Sequence, residues 1–487
     1  MYKIENTVDD NVISSSVKWA SLAEIVSKLI GPITTMILAR LLTPEDFGVI
    51  ASITMLLSFC DIFTDSGFSK YVIHHHFDDS KEENDVFNVS FWSNFILSVL
   101  IYTIIFVFSG SVSRLLFGSS KELLLRIAGL NIIITSFSAI QNALIKKRFK
   151  FKIHFYVRVL YTLVPLFITL PLAFTLKSYW AVCIGNLLNA LINSAVLLYF
   201  SDWRPTFSYP VETLKKIYSF CFWSMCEGIV YWMIIWVDTF FVSIYFSTYQ
   251  LGLFKNPSNM VISIMSIISA TIMSVVFTTL SSLRNKPDYF EDTYSLIAKL
   301  AAYIVFPMSA GMFLFRKTIV SILFGSSWLP SADVLGIIAI YYGLNIVFIL
   351  INGETFKALG KPKILFISQV AQLIAILVFC FAGAQFGFHT FLVTRLLVVF
   401  VQILLTMFFV RKVHSRLNFR MIQSVLHPIV ATFFLIIEIY LMKLVVVSNL
   451  GMDIILILIS IIAYIGFIYI IFKKDFWELY NFFRKRA

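Results

Sequence analysis

The chain has 487 residues, 59% of them hydrophobic and 14% charged, with a formal net charge of +12 and a mean hydropathy of +0.86. A soluble domain is about 45–50% apolar and about 25% charged, and its surface must be wetted. The composition therefore excludes a cytosolic enzyme, a disulfide-stapled secreted domain and a disordered chain, and points to a multipass membrane protein.

A membrane helix needs about 20 apolar residues, and the continuous runs here exceed the 9–11 residues of a barrel strand. The runs predict fourteen spans: 16–40, 46–66, 86–109, 122–145, 153–176, 179–200, 214–245, 249–280, 292–315, 332–356, 363–385, 388–410, 421–447 and 452–472. The polar stretch 1–15 carries no short apolar segment of signal-peptide type, so the first span is the expected targeting element. Thr43-Pro44-Glu45-Asp46 reads as an N-capped helix start with an acidic first turn. Tyr209-Pro210 and Lys361-Pro362 punctuate later joins. The five cysteines lie in apolar stretches without a CxxC, as structural thiols do. His74-His75-His76 has no second ligand cluster beside it, so no metal site is expected.

With both termini in the cytoplasm, 26 Lys and Arg fall on the cytoplasmic side and 8 on the other. That is the positive-inside bias of a membrane protein. It accounts for the net charge without nucleic acid, since no basic face is long enough to track a phosphate backbone.

An internal repeat organises the chain. Leu116-Phe-Gly-Ser-Ser120 recurs as Leu323-Phe-Gly-Ser-Ser327, while Trp19 and Gly48 match Trp223 and Gly252 at an offset of 204. Spans 1–6 and 7–12 then form two copies of one unit. Six spans is an even number, so the copies share orientation and are related by a pseudo-two-fold axis along the membrane normal. The expected domains are a tail (1–15), an N-lobe (16–200), a linker (201–213), a C-lobe (214–410), spans 13–14 (411–472) and a basic tail (473–487). The fold class is all-α, two six-helix lobes plus two C-terminal helices.

Charges inside spans are costly and mark functional candidates. The deep ones are Glu24, Lys28, Arg158, Glu227, Asp238, Lys299, Arg395 and Glu438. Glu24 and Lys28 are spaced i,i+4 and share a face. They either neutralise each other or leave Lys28 facing a cavity as a cation for an anionic substrate. Arg158 either snorkels toward the cytoplasm or faces that cavity. Glu227 sits at nearly the repeat-equivalent depth in span 7. Gly31-Pro32, one turn beyond Lys28, is expected to bend span 1. No Walker A, HExxH or GxSxG pattern occurs, and no loop is long enough for a catalytic domain, so no enzyme is expected.

Several segments carry a family resemblance. They are Ala39-Arg-Leu-Leu-Thr-Pro-Glu-Asp-Phe-Gly48, Phe63-Thr-Asp-Ser-Gly-Phe-Ser-Lys70, Ile140-Gln-Asn-Ala-Leu-Ile-Lys-Lys-Arg-Phe-Lys-Phe151, Phe324-Gly-Ser-Ser-Trp-Leu-Pro-Ser-Ala332 and Lys357-Ala-Leu-Gly-Lys-Pro362. In order and spacing the chain resembles the Wzx-type polysaccharide-repeat flippases, colanic acid exporters among them, of the multidrug/oligosaccharidyl-lipid/polysaccharide exporter superfamily. It departs at Phe277-Thr-Thr, where members often carry Phe-Pro. The motif residues matched are Arg40, Asp46, Gly48, Asp65 and Gly67.

The resemblance implies a bacterial inner-membrane transporter that moves undecaprenyl-diphosphate-linked oligosaccharide between leaflets, without catalytic residues. Its product would be O-antigen, capsule or exopolysaccharide. It implies membrane lipids, a polysaccharide polymerase and a chain-length regulator as partners, and no cofactor, with coupling to H+ or Na+ left open. A cation-coupled multidrug exporter of the same fold and a membrane polymerase are the alternatives. In the two-lobe reading spans 1, 2, 7 and 8 line the seam, and the turns at 40–48 and 246–252 approach each other in one state.

Overall fold

The computed structural model describes residues 10–65, 67–77, 79–446 and 449–484. Among the described residues there is no strand, and fourteen helices are long and apolar enough to cross a membrane. Spans 1–7 are Asp10–Leu41, Pro44–Asp65, Ser80–Phe117, Glu122–Lys147, Phe151–Leu176, Tyr179–Phe200 and Val211–Tyr245. Spans 8–14 are Thr248–Ser282, Pro287–Leu314, Ser326–Ala358, Pro362–Ala384, Phe388–Val413, Ser415–Val445 and Leu450–Ile471. Each corresponds to one expected span. Their outer faces carry large apolar side chains open to the surroundings, such as Phe167 at 74% and Ile462 at 71% exposure, which suits lipid and not water.

The differences lie at the ends. Span 1 is already helical at Asp10, inside the stretch expected as a polar tail, and residues 1–9 lie outside the described residues. Spans 3, 7 and 8 run to 38, 35 and 35 residues, beyond the apolar runs that revealed them. Three short helices went unforeseen: Phe68–His74, Arg316–Leu323 and Lys473–Arg484. The first two hide as short pieces between spans. The third hides because a basic composition masks its amphipathic pattern.

Local chemistry explains the joins. At span 2 the Thr43 backbone N–H and hydroxyl donate to Asp46 Oδ2 at 3.0 and 2.7 Å, and the Asp46 N–H donates back to Thr43 Oγ1. This reciprocal box satisfies two of the helix's orphan donors. At span 8 Ser247 and Gln250 build the same box at 3.2 Å, offset by the 204 residues of the repeat. The two Leu-Phe-Gly-Ser-Ser copies turn at Gly118 (φ +63°) and Gly325 (φ +96°), conformations that a Cβ disfavours. The second copy is pinned by Trp328, fully buried against Phe324.

The chain packs as two compact units, residues 1–252 and 253–487. In the N-terminal unit, span 3 packs on span 4, span 4 on span 6, and span 1 on span 5, while span 7 lies against spans 2 and 3. The linker expected at 201–213 is irregular up to Pro210 and is held down. Trp203 is buried and its indole N–H donates to Asn84 Oδ1 at 3.1 Å, and Thr206 exchanges two hydrogen bonds with Asn88. In the C-terminal unit, span 9 packs on spans 13 and 10, span 11 on span 12, and span 13 on span 14.

Candidate functional site

The turns opening spans 2 and 8 meet inside the N-terminal unit. A Cβ on Gly48 would lie 1.8 Å from the Thr248 carbonyl oxygen, and one on Gly252 would lie 1.7 Å from the Pro44 carbonyl oxygen. Pro44 and Thr248 are themselves repeat equivalents, so the contact is reciprocal: each helix start presses its glycine on the other's first turn. Of the motif residues, Arg40 and Asp46 lie at this corner, whereas Asp65 and Gly67 lie at the other end of span 2. Arg40 closes span 1, where a cation favours the helix C-terminus. Asp46 also accepts the Tyr179 N–H at 3.1 Å, tying span 6 to the same corner. Gly67 gives room to the Cys221 backbone, 2.4 Å from where a Cβ would sit. Asp65 ends span 2, and its side chain lies outside the described residues.

Spans 1 and 5 bring three of the candidate charges together. Glu24 accepts from Lys28 Nζ at 3.4 Å and from Arg158 Nη2 at 2.6 Å. Arg158 Nε donates to Ser27 Oγ at 3.2 Å, and Ser27 lies 3.2 Å from the Thr162 hydroxyl. Arg158 thus reaches across to Glu24 and Ser27 of span 1. Lys28 is held on Glu24, and Arg158 lines the adjoining cleft. That cleft measures about 490 Å³ and is walled by Ser27, Thr34, Thr35, Arg158, Tyr161 and Thr162.

Span 1 stays helical through Pro32, which has no N–H for the carbonyl four residues back, and the Thr34 and Thr35 hydroxyls donate to the Ile30 and Gly31 carbonyls. On span 5, Pro165 likewise cannot serve Tyr161. The ladder widens to a π turn over Pro165–Thr169, and Asn189 of span 6 donates to the Tyr161 carbonyl at 3.1 Å. Such turns recur at functional sites. Side chains of Glu24, Lys28 and Arg158 keep 44%, 23% and 40% exposure. Three ionised groups on an open face inside membrane spans suit water rather than hydrocarbon, where each would be costly.

The other candidates lie elsewhere. Glu227 pairs with Lys70 of the short helix after span 2 at 3.2 Å, with both side chains largely exposed, and does not join Glu24 and Lys28. Asp238 accepts the Thr239 N–H at 2.7 Å. Arg395 is buried in the C-terminal unit, its guanidinium 4.0 Å from the Tyr341 ring centre, and Tyr341 donates to Gln402 at 3.2 Å. Lys299 bonds Asp475 and Glu478 of the last helix at 3.0 and 2.7 Å. Both Glu438 oxygens are buried. Among the described residues no group of three His, Cys, Asp or Glu side chains could hold a metal.

Two features escaped the sequence reading. The hydroxyls of Ser27, Thr34 and Thr35 follow Glu24 at helical spacing, and that stripe was the available signal. An apolar groove of about 430 Å³ also opens between span 9 and spans 13–14, lined by Pro307, Met308, Gly311, Leu435, Ile457 and Tyr464. No spacing in sequence joins these segments.

Comparison with known proteins agrees with this architecture. The structure resembles that of the lipid II flippase MurJ in its inward closed conformation, with a TM-score of 0.76 at 15% identity over 93% of this chain and 98% of that one. It also resembles an inward-facing multidrug resistance MATE family transporter of the MOP superfamily, at 0.57 and 16% identity over 80% and 97%. By sequence the chain is 23% identical to the succinoglycan biosynthesis transport protein ExoT of Rhizobium meliloti (strain 1021), over 74% of this chain and 72% of that protein. It is 19% identical to the lipopolysaccharide biosynthesis protein WzxC of Escherichia coli (strain K12), over 67% and 66%. The family described as polysaccharide biosynthesis protein matches residues 37–333, more than half of the sequence, and the chain belongs to that family.

Proposed function

We propose that this protein is a flippase for undecaprenyl-diphosphate-linked oligosaccharide repeat units, carrying them from the cytoplasmic to the periplasmic leaflet of a bacterial inner membrane. The observation that carries the reading is the cleft between spans 1 and 5. It combines a guanidinium, which suits phosphate oxygens, with hydroxyls that suit sugars, on an open face within membrane spans. The apolar groove beside spans 13 and 14 offers a polyprenyl chain a surface of its own chemistry. In this reading Arg158 meets the diphosphate, with Lys28 and Glu24 beside it. Lobes 16–200 and 214–410 alternate access, spans 13–14 (411–472) are additional to them, and both termini are cytoplasmic. The protein carries out no covalent chemistry.

The test is deletion of the gene and complementation. Loss should abolish surface polysaccharide and accumulate the lipid-linked repeat unit on the cytoplasmic side; normal surface polysaccharide in the deletion strain overturns the reading. Reporter fusions should read cytoplasmic after Lys150 and periplasmic after Ser119 and Ser326. Transport assayed with Na+ replaced by K+, or with the proton gradient collapsed, separates the two coupling ions. The likeness to multidrug transporters supports a second reading, drug efflux on the same fold. Drug resistance lost on deletion, with surface polysaccharide intact, would favour it.

A further inference from the structure

Among the described residues of spans 1 and 5, Glu24 is the one carboxylate in contact with two cations. It takes Arg158 at 2.6 Å and Lys28 at 3.4 Å, and the three groups together keep one net positive charge. The guanidinium it occupies is the one that lines the hydroxyl-walled cleft. Arg158 has five N–H donors in a fixed fork, which matches phosphate oxygens as well as carboxylate. A diphosphate brings more negative charge and more oxygens than one carboxylate, so it can outcompete Glu24 for Arg158.

We propose that Glu24 is a tethered stand-in for the substrate's diphosphate: it holds Arg158 and Lys28 in the empty transporter, yields Arg158 to the arriving diphosphate, and takes it back to expel the diphosphate at release. The inference rests on the flippase reading above and adds a role for a residue of like charge to the substrate, which simple attraction would not place there. Both partners of the exchange sit on well-defined turns. Glu24 lies one turn before Ser27, which also contacts Arg158, so the guanidinium keeps a protein partner when Glu24 lets go. Lys28, four residues on, still holds Glu24 while it is displaced. A carboxylate with no other task would be a liability here, since it lowers the affinity of the cleft for an anion. A carboxylate that returns to Arg158 makes release possible without losing the positive charge needed for capture.

The experiment uses the full-length protein in lipid nanodiscs, with inorganic pyrophosphate as the probe and surface polysaccharide as the cellular readout. Glu24→Gln should bind pyrophosphate about tenfold more tightly than the native protein and yet export less, because release slows. Glu24→Asp keeps the charge one methylene further from Arg158 and should shift affinity the same way by a smaller factor, which guards against a folding defect in the first variant. Arg158→Ala should lose binding in either background. Asp61, which lies within electrostatic reach of Tyr161, supplies the control: Asp61→Asn should change affinity less than Glu24→Gln. Farnesyl diphosphate should displace pyrophosphate better than uridine diphosphate does; the reverse order overturns the assignment to a lipid-borne diphosphate. If Glu24→Gln binds no more tightly while Arg158→Ala still abolishes binding, Glu24 is a structural counterion and the inference falls, with the flippase reading left standing. If Arg158→Ala leaves both binding and export intact, the placement of the diphosphate in this cleft falls as well.

Discussion

The two compact units treat charge in opposite ways. The N-terminal unit leaves Glu24, Lys28 and Arg158 partly open beside a cleft. The C-terminal unit seals several of its charges into packing. Arg395 is 5% exposed over the Tyr341 ring, and the Glu291 side chain is 4% exposed with His414 and Arg420 each 3.6 Å away. Asp475 is buried among Lys299, Tyr303 and His427 at 2.7–3.0 Å. Asp453 takes the Thr318 hydroxyl, and Lys443 donates to the Leu314 carbonyl at 2.6 Å. An open charge can exchange partners with a ligand. A sealed charge cannot leave without exposing an uncompensated partner. If the proposed site is right, the difference teaches that intramembrane charge serves transport where its surroundings let it change partners and serves packing where they do not.

Four substitutions would sharpen or break this contrast. The largest effect is expected at Arg158. Arg158→Ala should lower export by about a hundredfold, or about 2.8 kcal/mol at tenfold per 1.4 kcal/mol, while the melting temperature of the purified protein barely moves. A large drop in melting temperature would place Arg158 with the sealed charges instead. Arg395→Ala should do the reverse. Loss of a desolvated cation–π contact of about 2 kcal/mol, plus the cavity left behind, should lower the melting temperature. Export per folded molecule should hold.

The last helix gives a third test. Asp475→Ala leaves Tyr303 without its buried acceptor and Lys299 with Glu478 alone, and should release Lys473–Arg484 at a cost of about 1–3 kcal/mol. A spin label at Lys474→Cys reports the release as a gain in mobility. The same contact predicts the response to acid. Burial pushes the Asp475 carboxyl up, but hydrogen bonds from His427, Tyr303 and Lys299 outweigh it and hold the group below the ordinary carboxylate value. A carboxyl lowered in the folded state contributes stability fully above its ordinary value, about 3.9, and loses it as pH falls through the lowered one. The label should therefore stay immobile from pH 8 down to pH 5 and loosen only in stronger acid. Loosening near pH 6 would show that another group governs the helix. The smallest effect is expected at Lys70→Met, which removes an exposed pair with Glu227 worth about 0–1 kcal/mol. Neither export nor melting should change measurably, and a clear loss of export would move Glu227 into the functional set.

The sequence by itself determined the fourteen spans, because a membrane helix is specified by its own run of apolar residues and needs no distant partner to be recognised. It also determined the repeat and the box at Thr43 and Asp46, since capping joins residues three apart. The glycines at 48 and 252 were legible as equivalents. That each packs on the other's helix start was visible only once the two turns were placed together. Partner choice among the charges belonged wholly to the tertiary structure. Spacing put Glu24 and Lys28 on one face, but only the packing of span 5 on span 1 gave Glu24 to Arg158, and only the short helix after span 2 drew Lys70 to Glu227. The tail read as basic in composition became a docked helix because its two acidic residues found Lys299 of span 9. Helical periodicity fixes the direction in which a side chain points. What stands there to meet it depends on which helix packs alongside, and that is set by the summed fit of many apolar contacts far apart in sequence.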